Sequence, residues 1–108
     1  MLGNPIQERG YDYMIRVVAK FNFKPEEKEK AMALCKELVD ETRKETGCKG
    51  YDLAQSANDE NQYVVLETWE NQEVLDVHSA SEHFTRIVPQ LVEMSAAAPI
   101  LESYMQVI

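Results

Sequence analysis

Positive charge is scarce in this chain: 11 Lys and Arg stand against 19 Asp and Glu, a formal net charge of −8 over 108 residues. Nucleic-acid binding needs a basic footprint, and none is present, so neither DNA nor RNA is expected as a partner. An anionic membrane surface repels such a chain for the same reason. Long apolar runs are also missing. No stretch nears the ~20 residues of a membrane span, and the N-terminus carries no apolar signal core. Two cysteines occur, Cys35 and Cys48, which is too few for a disulfide framework. They read as free thiols of a reducing, cytoplasmic compartment. With no C-x-x-C or H-x-x-x-H spacing, no metal site is expected.

A chain of this length is one domain, and a small one that buries only ~60–70% of the surface its unfolded form exposes. Residues 1–12 are polar, with Gly3, Pro5 and Gly10 as breakers. They read as a flexible extension ahead of a domain spanning residues 13–108.

The domain begins with an alternating run. Tyr13, Ile15, Val17, Ala19 and Phe21 face one way and Met14, Arg16, Val18 and Lys20 the other, the signature of a strand. Lys24-Pro25-Glu26-Glu27 then opens a helix, with proline at its first position and carboxylates at the positive end of the dipole. Ala31, Leu34, Cys35, Leu38, Val39 and Thr42 form its buried stripe, and Gly47 is the expected C-cap. A second strand spans residues 48–55 and a third 62–70, joined by the polar turn Ser56-Ala57-Asn58-Asp59-Glu60-Asn61. Asn71 caps a short helix reaching Ser79. Ser81 caps another, carrying Phe84, Ile87, Val88, Leu91 and Val92, in which Pro89 predicts a kink or break near Ile87–Val88. Residues 100–108 make the last strand.

The order βαββαβ is that of an α+β, ferredoxin-like fold, a four-stranded antiparallel sheet with helices on one face. Both faces of the strands carry apolar residues, Val64 and Leu66 against Tyr63, Val65 and Trp69. Pairing with a second copy, sheet to sheet, is the simplest cover for the second face, so a homodimer is expected.

The chemistry concentrates between residues 67 and 84. Glu67-Thr68-Trp69-Glu70 closes the third strand, and His78, His83 and Phe84 follow on the helices. This stretch holds the single tryptophan and both histidines of the chain. Together with Gly47-Cys48-Lys49-Gly50-Tyr51-Asp52-Leu53 and Tyr63-Val64-Val65-Leu66, it resembles the antibiotic biosynthesis monooxygenase family of small, quinol monooxygenase-like proteins. The likeness runs from Met14 to Ile108.

The resemblance implies a dimeric α+β barrel with a pocket in each protomer between sheet and helices. It also implies oxidation of a small aromatic quinol or phenol by O₂ without flavin, haem or metal, because a deprotonated, electron-rich phenol passes an electron to O₂ directly. The protein then desolvates the substrate, holds it and stabilises the anion. By this likeness Trp69 and His78 are the catalytic pair, with His78 as proton acceptor. Glu67, His83, Phe84 and Val65 line the substrate. Val65 is a departure, since anthrone-oxidising members carry an asparagine there. Glu67, on the same strand face as Trp69, is the group expected to orient a histidine.

Each residue also has a purely structural reading: Trp69 as core, His78 as a tie between helix and sheet, His83 as a solvated first-turn residue, and Glu67 as an acceptor for backbone or arginine. The same scaffold serves other ends. An isomerase or degradation enzyme for a small sugar-derived signal shares the strand end and the paired histidines. A non-catalytic dimeric binding protein is a third reading, and haem degradation a fourth, for which no residue here is diagnostic.

Overall fold

The computed structural model describes residues 13–108, and the extension inferred for residues 1–12 lies outside them. Four strands, β1 (Ile15–Asn22), β2 (Cys48–Gln55), β3 (Gln62–Trp69) and β4 (Ile100–Met105), form one antiparallel sheet in the order β2-β3-β1-β4. Three α-helices lie between them: α1 (Lys28–Thr42), α2 (Gln72–Ser79) and α3 (Glu82–Glu93). The fold is the ferredoxin-like βαββαβ arrangement. No helix among the described residues is long and apolar enough to cross a membrane.

Alternation on β1 and β3 builds the core. Ile15, Val17, Ala19 and Phe21 are buried, as are Tyr63, Val65, Glu67 and Trp69 on β3, while the residues between them are exposed or half-buried. Onto this face pack Ala31, Cys35 and Leu38 of α1 and Ile87 and Leu91 of α3, each at helical spacing. Cross-strand register lines the inner residues into rows. One row runs Tyr51, Glu67, Val17, Ser103, and another Leu53, Val65, Ala19, Leu101. Among the described residues no helix covers the opposite face, which exposes Leu66 and Tyr104.

The N-caps of α2 and α3 are where the sequence puts them. The Asn71 side chain accepts a hydrogen bond from the Val74 amide at 3.0 Å, and the Ser81 hydroxyl accepts one from the Phe84 amide at 3.3 Å. Four expectations are corrected. Pro25–Glu27 is a separate 3₁₀ turn ahead of α1. Helix α1 ends at Thr42, not at Gly47. Helix α3 continues through Pro89 without a break, because Ile87 and Leu91 anchor it on either side while Pro89 lies on the exposed face, where the carbonyl it leaves free meets solvent. Strand β4 is also shorter than its apolar pattern, ending at Met105.

Gly47 instead takes a left-handed conformation, φ 84°, on entry to β2, where its carbonyl accepts from the Glu70 amide. A Cβ there would lie 2.7 Å from a Val74 methyl, whereas one at Gly50 would sit 3.7 Å from Thr68. Gly47→Ala is therefore expected to cost about 2 kcal/mol, from backbone strain and the clash together, lowering the melting temperature by about 8 °C or more. Gly50→Ala should stay within about 1 kcal/mol of the native protein. Thermal denaturation followed by circular dichroism checks both, and equal losses would remove the assigned role of Gly47.

Candidate functional site

A cavity forms where the inner rows are small. Val17, Ala19 and Ser103 leave space beneath α2 and α3, which Phe84 bridges from the first turn of α3. Two chambers result, of about 220 and 250 Å³, sharing Glu67, Phe84 and Leu101 in their walls. Side by side they reach the lower part of the ~300–1,000 Å³ range that takes small ligands. The first chamber is apolar, bounded by Leu38, Tyr51, Val88 and Ile100. The second is mixed, bounded by His78, Gln72, Asp76, Ser79 and Ser103. The mouth lies toward β4, the least buried strand, where Leu101 keeps 70% of its surface exposed.

Glu67 is the one carboxyl common to both chambers. Its Oε1 accepts the indole N–H of Trp69 at 2.8 Å. Burial pushes its pKa up to about 7 from 4.5, the indole bond opposes this, and the nearby charge of Glu45 adds to it. Tyr51 stands beside it in the sheet register, its hydroxyl pKa raised by burial first and by the Glu67 charge second. Glu67 therefore sits near the midpoint of its titration at neutral pH, within reach of a bound ligand.

Behind that wall lies a second acid. Glu45, in the turn between α1 and β2, places Oε2 2.6 Å from His78 Nδ1 and 2.7 Å from His83 Nε2. The His78 ring packs on Trp69 at a centroid distance of 4.5 Å and meets Phe84 and Tyr51 edge-on at 5.1 and 5.4 Å. Its Nε2 is buried without a hydrogen-bond partner among the described residues. Burial lowers the His78 pKa, and the bond to Glu45 pulls the other way.

The residues singled out in the sequence therefore fall into three groups. Glu67, Phe84 and His78 line the cavity. Trp69 and Val65 are buried in the core and reach it only through their neighbours: Trp69 holds the Glu67 carboxyl, and Val65 packs beside it in the sheet. His83 binds Glu45 and does not line either chamber. Glu67 does not orient a histidine as expected, because Glu45 does. Nothing in the sequence marks Glu45, which lies 33 and 38 residues from its two partners. Both cysteines are free, Cys35 buried in α1 and Cys48 half-buried.

The sequence pattern of the antibiotic biosynthesis monooxygenase family matches residues 14–90. A solved conserved protein of Methanosarcina mazei Go1 superposes with a TM-score of 0.86 at 38% identity, covering 89% of this chain and 95% of that one. A solved antibiotic biosynthesis monooxygenase superposes with a TM-score of 0.82 at 34% identity, covering 87% and 99%. The Bacillus subtilis protein YcnE, whose name proposes a monooxygenase, is 32% identical over 84 residues, 78% of this chain and 88% of its own length. The chain spans 65% of the length of a further relative, Synechocystis sll1783, at 27% identity. The matched segment contains Glu45, Glu67, Trp69, His78 and His83, and on this likeness of sequence and fold the chain belongs to the antibiotic biosynthesis monooxygenase family.

Proposed function

We propose that the chain oxidises a small aromatic hydroquinone with O₂, without an organic cofactor, and that Glu67 is its proton acceptor. The observation that carries this reading is Glu67 itself: a carboxyl in the wall of both chambers, held by Trp69, with a pKa of about 7. A base poised near the working pH is the efficient one. The aromatic ring lies in the apolar chamber between Tyr51, Leu38 and Val88, with one hydroxyl at Glu67.

Glu67 takes the hydroxyl proton, and the resulting phenolate passes one electron to O₂. The two radicals then join in a C–O bond at a ring carbon, and Glu67 returns its proton to the peroxide. That carbon loses its hydrogen as the O–O bond breaks and water departs. Overall one hydroquinone and one O₂ give one hydroxyquinone and one water.

His78 is the group that the family likeness favours for the proton. Its Nδ1 is engaged by Glu45 and its Nε2 is closed off from solvent, so in this reading it shapes the second chamber and supports Trp69. A second reading rests on that chamber. Gln72, Asp76, Ser79 and Ser103 suit a polyol, and Glu67 there would move a proton between carbons of a small sugar-derived ketone. The uncovered sheet face, with Val18, Val64 and Leu66 around a hollow of about 360 Å³, is in our proposal the face that meets a second copy.

Oxygen uptake on a panel of naphthohydroquinones, corrected for autoxidation, tests the assignment. Glu67→Gln keeps the size of the side chain and should lower kcat/KM by ~10²-fold or more, whereas His78→Gln should retain most activity. The opposite pattern would move the proton to His78. No enhancement by the native chain, with deuterium exchange into a sugar ketone, would favour the second reading.

The native pH profile should rise through about 7 as Glu67 ionises. Trp69→Phe removes the donor that holds the pKa down, so the step should move to higher pH. Stability should run the other way. The folded state holds the Glu67 proton more tightly than the unfolded state does. Its contribution is therefore present below about 4.5 and is lost, on the order of 3 kcal/mol, as pH rises through about 7. Urea unfolding between these limits measures it, and Glu67→Gln should flatten that part of the curve.

The dimer is checked by light scattering, with twice the chain mass expected and an interface of ~2,000 Å² in total. A stable monomer at micromolar concentration removes it.

A further inference from the structure

Outside the Glu67 chemistry, three donor atoms converge with no task in the reaction. Glu45 Oε2, His78 Nδ1 and His83 Nε2 all lie within 4.8 Å of one another. They come from three separate elements: the turn after α1, the last turn of α2 and the first turn of α3. We infer that this cluster is a binding site for a divalent transition ion of the zinc type, held by two imidazole nitrogens and one carboxylate oxygen.

The donor set argues for the class of ion. Two nitrogens with one oxygen suit zinc, cobalt, nickel or ferrous iron, whereas magnesium and calcium prefer oxygen alone. Three protein ligands with a position left for water or a ligand is the composition of open zinc sites. Ligand atoms around a tetrahedral zinc stand ~3.3 Å apart, from metal–ligand bonds of ~2.0–2.1 Å. The nitrogens now lie 2.6 and 2.7 Å from the carboxylate oxygen. A separation of about 0.6–0.7 Å, within the reach of side-chain torsions, opens the site to an ion.

Proton positions argue the same way. Among the described residues His78 Nε2 has no hydrogen-bond partner, and its ring packs among those of Trp69, Tyr51 and Phe84. Ring faces receive an N–H better than a lone pair. With Nε2 turned away, Nδ1 is the nitrogen that faces the Glu45 oxygen, at 2.6 Å, and with the proton on Nε2 it is the atom that would ligate an ion. The site is also accessible and firm. The Glu45 and His83 side chains keep 13% and 15% of their surface exposed, while His78 is fixed among the aromatic rings. Bound there, the ion would fasten α2 and α3 to the turn leading into β2.

The inference uses no part of the monooxygenase reading, and its test does not measure oxidation. The full chain, stripped with EDTA and then freed of chelator, is titrated with zinc by calorimetry and with cobalt by visible absorption. One ion per chain is expected, with the strong cobalt bands of a four- or five-coordinate site. The melting temperature should rise when zinc exceeds its Kd. Glu45→Gln, which keeps size and shape, and His83→Asn should each weaken zinc binding by about 100-fold or more. Glu67→Gln should leave it unchanged. Absence of stoichiometric binding by the native chain, or undiminished binding by Glu45→Gln, would overturn the site. Should His83→Asn fail to fold, anomalous scattering at the zinc edge from soaked native crystals decides: a peak among the three donor atoms supports the inference, and a peak elsewhere rejects it.

Discussion

A carboxylate drawn out of water must find polar partners, and Glu45 finds two imidazoles on two different helices. That requirement fixes the end of α2 and the start of α3 relative to the turn that enters β2. Removing one partner of such a buried cluster leaves an uncompensated polar group, which costs far more than the pair contributes when intact. Gly47 stands two residues along, packed on Val74 so closely that a methyl does not fit. Between them, the carboxylate and the glycine hold the two short helices over the sheet, and the cavity exists because they do.

Two acids a short distance apart, Glu67 buried and Glu45 half-buried, thus meet opposite ends. Glu45 is matched by two nitrogens at hydrogen-bond distance. Glu67 has one indole N–H and otherwise faces the cavity, so burial dominates and its proton is retained up to about neutral pH. The charge of Glu45 contributes to that outcome, so the cluster behind the wall tunes the group in front of it. Trp69 stands between, bonded to one acid through its nitrogen and packed on the histidine of the other.

Strand and cap positions were legible because their causes are local. Period-two alternation on residues 15–22, the Asn71 and Ser81 caps and the polar turn after Gln55 are all properties of neighbours in sequence. Errors arose where tertiary packing overrode a local rule. Pro89 breaks no helix because buried Ile87 and Leu91 hold it on both sides, and Gly47 closes no helix because α1 has already ended at Thr42. The aromatic and imidazole members of the site were visible as rare residues placed close together. Glu45 was not, since one glutamate among many carries no mark in sequence and its contacts close loops of more than thirty residues. Side-chain direction was equally hidden: Trp69 is at the site through the atom it donates from, and its ring surface is wholly enclosed.

Strand β4 joins the sheet through β1 alone, over six residues, and most of its side chains remain in contact with solvent. It also carries Leu101, which stands at the mouth of both chambers. Edge segments with few buried contacts open at lower free energy than the strands they flank. A loosening of that margin would widen the mouth of the cavity, with the backbone bonds between β1 and β4 acting as the latch.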